Sequence, residues 1–113
     1  MSNKKVVETY IDGFNKSDHA QILSCLTDDV IWEMPGLFYL EGKKAFDGEI
    51  ENDAFTGRPE VVVIRMVEEG NIVVAEGSVK SRFENGDLLD AMFCDLFHFE
   101  NGKIKSLYVF LDN

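Results

Sequence analysis

Apolar residues recur along the chain at two different periods, and the change falls at residue 60. Val6, Val7, Tyr10, Ile11 and Phe14 lie three or four positions apart, which predicts an amphipathic helix over 3–16. Asp18 followed by Gln21 has the pattern of a helix cap, so a second helix is expected over 18–26, with Ile22, Leu23 and Leu26 inward. VIWEM (30–34) predicts a short strand ended by Pro35-Gly36. A weaker helix is expected over 41–53, where Gly42 and Gly48 lower the propensity, and TGRPE (56–60) reads as a loop.

From residue 60 the period becomes two. EVVVIRMVE (60–68), IVVAEGSVKSRF (72–83), LLDAMFCDLFHF (88–99) and IKSLYVFL (104–111) read as four strands of an antiparallel meander. Asn85-Gly86 and Asn101-Gly102 are expected to form type I′ turns, which need positive φ at both central residues. Alternation sorts the faces. Ala75, Gly77, Val79, Ser81 and Phe83 share one side of their strand, and Glu76, Ser78, Lys80 and Arg82 the wetter one. In the next strand Leu89, Ala91, Phe93, Asp95, Phe97 and Phe99 lie together, with Met92, Cys94, Leu96 and His98 on the reverse. Both faces of that strand are apolar enough to need cover, one from the helices and one from a dimer partner.

Asp95 is out of place among these phenylalanines. A lone ionised carboxylate there is costly, so it must be protonated, paired or hydrogen-bonded. It is either a structural acid satisfied by a neighbour or a functional group lining a cavity.

Composition narrows the classes. A chain of 113 residues, 45% of them apolar, fits one domain with a real core. No run is long and apolar enough for a bilayer span, and MSNKKVVETY has no signal-peptide core. The 11 basic residues against 21 acidic ones give a net charge of −10, which argues against nucleic acid and against an anionic membrane surface. Cys25 and Cys94 read as reduced core residues of a cytoplasmic protein, and neither has metal-site spacing.

The order of helix, helix, strand, helix and meander resembles the nuclear-transport-factor-two-like α+β fold, which includes ketosteroid isomerase and the SnoaL-like polyketide cyclases. VVETYIDGFNKSD (6–18) resembles the family's first helix. LTDDVIWEMPG (26–36) resembles its acidic turn into the first strand, and CDLFHFENGKI (94–104) its penultimate strand and hairpin. The likeness spans nearly the whole chain, so residues 1–113 are expected to form one SnoaL-like domain. It implies a cystatin-like cone: N-terminal helices packed on a strongly curved, mostly antiparallel sheet around an apolar pocket.

Ketosteroid isomerase holds its substrate oxygen with a Tyr of the first helix and a protonated Asp of the penultimate strand. By motif position Tyr10 matches that Tyr and Asp95 that Asp, which makes them the candidate catalytic donors. The isomerase base is the Asp before the proline that follows the first strand. Here that residue is Met34, which accepts no proton, and alternation points Glu33 away unless a bulge turns it. Phe14, Trp32, Met34, Val79, Phe93, Phe97, Leu107 and Leu111 are the expected pocket lining, though each would also serve as plain core. His98 reads as a dimer-face or surface residue, His19 as exposed, and Arg58 as a loop cation able to reach a carboxylate ligand.

Three readings remain open. The chain is an isomerase, cyclase or dehydratase acting on a small apolar carbonyl compound, a non-catalytic binder of the same fold, or an interaction domain with a filled core. A small hydrophobic ligand and a homodimer partner are expected, with no cofactor and no metal.

Overall fold

A computed structural model describes residues 2–51 and 54–112. Two helices lead into the sheet: α1 (Asn3–Lys16) and α2 (His19–Ser24). Ser2 caps α1 by accepting from the Lys5 N–H at 3.2 Å. The helix ends at Ser17, whose φ of 53° is left-handed, and the Asp18 N–H then reaches back to the Gly13 carbonyl at 2.9 Å. Asp18 in turn caps α2 through Gln21.

The remaining elements are β1 (Leu26–Met34), β2 (Phe38–Glu41), α3 (Lys43–Ile50), β3 (Phe55–Glu69), β4 (Ile72–Phe83), β5 (Leu88–Glu100) and β6 (Lys103–Asp112). The strands form one sheet in the order β2-β1-β6-β5-β4-β3. Among the described residues only the β1–β6 pair is parallel. The sheet is strongly curved and open, and the helices fill its concave side, which makes an α+β cone. Register shifts in β3, between Thr56 and Glu60 and between Val63 and Arg65, mark bulges of the kind that bend a strand.

Several local expectations are corrected. Helix α2 stops at Ser24, because Cys25 closes it and Leu26 already pairs with Ile104. TGRPE is no loop: it lies within β3, across the first register shift. The expected helix over 41–53 is confined to Lys43–Ile50, and its positions 52 and 53 lie outside the described residues. Strand β2 was not expected at all. It returns from β1 after a turn in which the Leu37 N–H meets the Met34 carbonyl at 2.8 Å. Asn101 and Gly102 both take positive φ, as a type I′ turn requires, but at 85–86 only Gly86 does. There the Gly86 N–H bonds the Phe83 carbonyl, and the Phe83 N–H bonds Asp87, which makes a longer hairpin loop.

The core lies between α1, α3 and the concave face. Phe46, Phe97, Ile22, Ile104 and Leu107 are fully buried in it. Cys25 is buried, but Cys94 is exposed, contrary to its expected place in the core, because its position in β5 faces outward. The outer face of the sheet keeps Val62, Ile64, Val67, Met92 and Phe110 about half exposed or more. Among the described residues no helix is long and apolar enough to cross a membrane.

Candidate functional site

The cone holds a half-open cavity of about 430 Å³. Helix α1 lends it Tyr10, Ile11 and Phe14, and β1 lends Trp32 and Met34. Val79 of β4, Phe93 and Asp95 of β5, and Val109 and Leu111 of β6 complete the wall on the sheet side. Alternation explains this set: Phe93 and Asp95 are two apart, as are Trp32 and Met34, so each pair shares a face. Edge-on ring contacts link the helix to the sheet, with Tyr10–Phe14 at 5.0 Å, Tyr10–Phe97 at 5.5 Å and Phe14–Trp32 at 6.0 Å between centroids.

Asp95 is 7% exposed. Its cross-strand neighbours are Ala75 and Val109, whose side chains offer no hydrogen bond. Its Oδ1 is sealed from the surface and has no hydrogen-bond partner. Loss of water alone pushes its pKa up to about 8, so the acid stays protonated at neutral pH and carries an O–H. Tyr10 is buried beside it. Burial lifts the phenol well above its usual value, and the charge Asp95 would carry adds to that rise. Both residues line the same largely apolar cavity, and burial favours the neutral form of each.

Eight of the ten sequence-derived site residues come together at this cavity: Tyr10, Phe14, Trp32, Met34, Val79, Phe93, Asp95 and Leu111. Phe97 and Leu107 do not line it. They pair with each other in the β5–β6 ladder and are fully buried, with the Tyr10 ring lying over Phe97. Glu33 is not a lining residue either; it sits on the reverse face of β1, beside Tyr39 and Tyr108. No bulge turns it inward, and the inward position before Pro35 holds the thioether of Met34.

The rim was missed by sequence reasoning. Glu49, Ile50 and Glu51 line the cavity from the end of α3, and Thr56, Gly57 and Pro59 from the start of β3. The first group sat in a weakly patterned helix and the second in an apparent loop. His19, expected to stand exposed, bridges α2 to this rim. Its Nδ1 lies 2.5 Å from Asp47 Oδ1 and its Nε2 2.8 Å from Glu51 Oε1. These carboxylates raise its pKa, Asp47 first, because each ring nitrogen must carry a proton to donate. No group of three or more His, Cys, Asp or Glu among the described residues is placed to hold a metal ion.

Comparison with known proteins bears on the fold. The structure overlays on an LEH-like epoxide hydrolase of M. tuberculosis with a TM-score of 0.86 at 18% identity, covering 97% of this chain and 82% of that one. TerC, co-crystallised with polyporic acid, gives 0.88 at 21% identity, covering 97% and 91%. A protein of ketosteroid isomerase-like fold from Catenulispora acidiphila, in complex with trimethylamine, gives 0.83 at 12% identity, covering 92% and 82%. At these identities the likeness shows the fold alone. No curated protein matches the chain. The model of the SnoaL-like domain matches residues 7–107, and the chain therefore belongs to the SnoaL-like domain family.

Proposed function

We propose that the cone binds a small apolar carbonyl compound, with its oxygen held by Tyr10 and by neutral Asp95. The observation that carries this reading is the buried carboxyl of Asp95 in the wall of an apolar cavity, unpaired at Oδ1, where burial pushes its pKa up to about 8. Filling that cavity with a ketone supplies an acceptor for the O–H while adding apolar contact around it. The reaction class is an isomerisation, cyclisation or dehydration that passes through an enol or enolate. Its base is not at Met34. The fold also hosts an epoxide hydrolase, so fold alone does not choose the reaction.

The test is a carboxyl-carbon NMR titration of Asp95, assigned with Asp95→Asn, with and without a cyclic ketone. A pKa well above the ordinary carboxylate range, rising further with the ketone bound, supports the donor role. An ordinary value unmoved by the ketone overturns it.

A second reading is binding without turnover, and Met34 in place of a base favours it. Turnover assays with enolisable ketones separate the two, because a pure binder shows affinity and no exchange of α-protons with deuterium oxide. The exposed apolar face around Met92 and Phe110 further supports a homodimer through the outer sheet. Sedimentation of the wild type at the dimer mass, and of Phe110→Lys at the monomer mass, tests that part.

A further inference from the structure

We propose that the indole N–H of Trp32 is a second polar contact of the cavity, and that the ligand carries a second oxygen acceptor to meet it, away from the carbonyl held by Tyr10 and Asp95. The inference rests on the cavity being the carbonyl site proposed above, and adds which carbonyl compounds fill it.

Among the described residues two buried side-chain polar atoms have no hydrogen-bond partner: Asp95 Oδ1 and Trp32 Nε1. Both belong to residues that line this one cavity. Trp32 is 8% exposed, so its N–H has given up water without gaining a protein partner. Buried polar groups are seldom left in that state, because the lost bond to water is not replaced. The surrounding core offers no replacement. The rings of Phe14, Phe38 and Phe46 pack against the indole, and none of them has an acceptor atom.

The two unpartnered atoms come from different walls. Strand β6 lies between β1 and β5, so the backbones of those two strands run roughly 10 Å apart across the sheet. Trp32 is level with Leu107 and Phe97, and Asp95 is two residues from Phe97. Phe14 and Phe46 each touch both the Tyr10 and the Trp32 rings and stand between them. A ligand spanning this space meets Tyr10 and Asp95 with one end and the indole with the other. Both unpartnered atoms are covered, so the ligand reaches them as lining side chains turn aside. Met34, flexible and two residues from Trp32 on the same face, is suited to that.

The chemistry of the indole narrows the ligand. Its nitrogen donates and does not accept, so it selects an acceptor oxygen, whether carbonyl, ether or hydroxyl. It takes no proton in the reaction. What it adds is orientation, since a compound held at both ends presents one chosen carbonyl to Tyr10 and Asp95. The substrate class is then a fused-ring ketone with a second oxygen on its far side.

Trp32 is the only tryptophan of the chain, so its indole proton gives a single NMR signal that needs no assignment. The probes are decalin diketones with one carbonyl on each ring, in two spacings. Each is compared with the monoketone in which an exocyclic methylene replaces the second oxygen. The diketone of fitting spacing should bind about five- to tenfold more tightly than its methylene partner, the effect of one hydrogen bond to a buried donor. It should move the indole proton downfield, and the methylene compound should not. Replacement of Trp32 by benzothienylalanine keeps the ring shape and puts sulfur where the N–H was. That variant should lose the diketone advantage and bind the monoketone as before, and Trp32→Phe should lose the advantage too.

Equal affinities at both spacings overturn the proposal, as does failure of both diketones to bind. An advantage that survives the sulfur variant overturns it as well. So does an indole proton that lies upfield and is unmoved by the diketone, the mark of an N–H held against a ring face. An indole proton moved by the monoketone overturns the two-ended arrangement, by placing the single carbonyl at Trp32. The carbonyl reading is scored separately, by whether the monoketone loses affinity in Asp95→Leu. If it does not, the proposed function fails, while the diketone comparison still reads the Trp32 contact on its own.

Discussion

Asn15 of α1 and Val61 of β3 hold each other through a matched pair of hydrogen bonds. The Asn15 Nδ2 donates to the Val61 carbonyl at 3.0 Å, and the Val61 N–H donates to Asn15 Oδ1 at 2.7 Å. Strand β3 ends the sheet, so the backbone groups of Val61 face an open edge, and a side-chain amide stands in for the missing strand. The contact also fixes the helix that carries Tyr10 against the strand that carries the cavity residue Val61. Asn15→Ala should lower stability by about 1–3 kcal/mol, since it leaves two backbone groups unpaired. Denaturant unfolding measures this, and exchange of the Val61 amide should speed up in the same variant.

Asp95 should make the protein less stable as pH rises. Its folded pKa is raised and its unfolded value is near 3.8, so the folded state binds the extra proton between these values. Stability contributed by this group is full below about pH 4, falls as pH climbs, and levels off above about pH 8. Asp95→Asn removes the titration. The variant should therefore gain on the wild type with rising pH, on the order of a few kcal/mol at pH 8, and lose the advantage near pH 4. Thermal melts of both proteins across this range check the sign. A gap that narrows with rising pH would sink the assignment.

His19 works in the same sense. Its folded pKa is raised above the ordinary 6.5 by Asp47 and then Glu51. What it adds is present below the unfolded value and is lost as pH rises through the folded one. The contacts are largely solvated, so the global effect is small. The local effect is not: the end of α3 should exchange its amides faster above that pKa, and His19→Gln should exchange fast at every pH. Hydrogen exchange of the 43–51 amides reads this directly.

Gly77 has no room for a methyl group. A Cβ built there would sit 1.9 Å from the Val62 carbonyl oxygen and 3.0 Å from the Phe93 ring. The near atom is backbone, so β3 would have to move away from β4 where the sheet bends. Gly77→Ala should cost at least about 2–3 kcal/mol and disturb the cavity wall through Phe93. Chemical denaturation and the Phe93 ring resonances together test the claim.

The parts of this structure that were legible in the sequence are those with strict periodicity. The alternation in residues 88–99 put Asp95 on the same face as Phe93 and Phe97, and burial follows that alternation. The spacing of Val6, Val7, Tyr10 and Ile11 likewise gave the buried face of α1. What periodicity does not report is depth along the cone. Phe97 has the right face but packs against the Tyr10 ring, and Leu107 is paired with it in the ladder, so both are fully buried instead of lining the cavity. Strand β2 is four residues long with a half-buried pattern, too short for any period to stand out. TGRPE reads as a loop because Gly and Pro punctuate turns, and a bulged edge strand uses both residues for its own reasons. The rim acids were invisible for a related cause: Gly48 weakens α3 just where Glu49 and Glu51 take their places.

The place of β6 in the sheet sets an order of events during synthesis. The last strand of the chain lies between β1 and β5, and it is the parallel partner that fixes β1 to the sheet. As the polypeptide emerges from its N-terminus, the β1–β2 hairpin has no strand to join until residues 103–112 are free, whereas α1 can already meet β3 through Asn15 and Val61. Trp32 and Met34 wait with the hairpin. The β3–β4–β5 hairpins rest on contacts near in sequence, whereas β1 joins the sheet through contacts some seventy to eighty residues apart in the chain. The two sides of the cavity, β1–β2 and β3–β5, are therefore joined only once β6 lies between them.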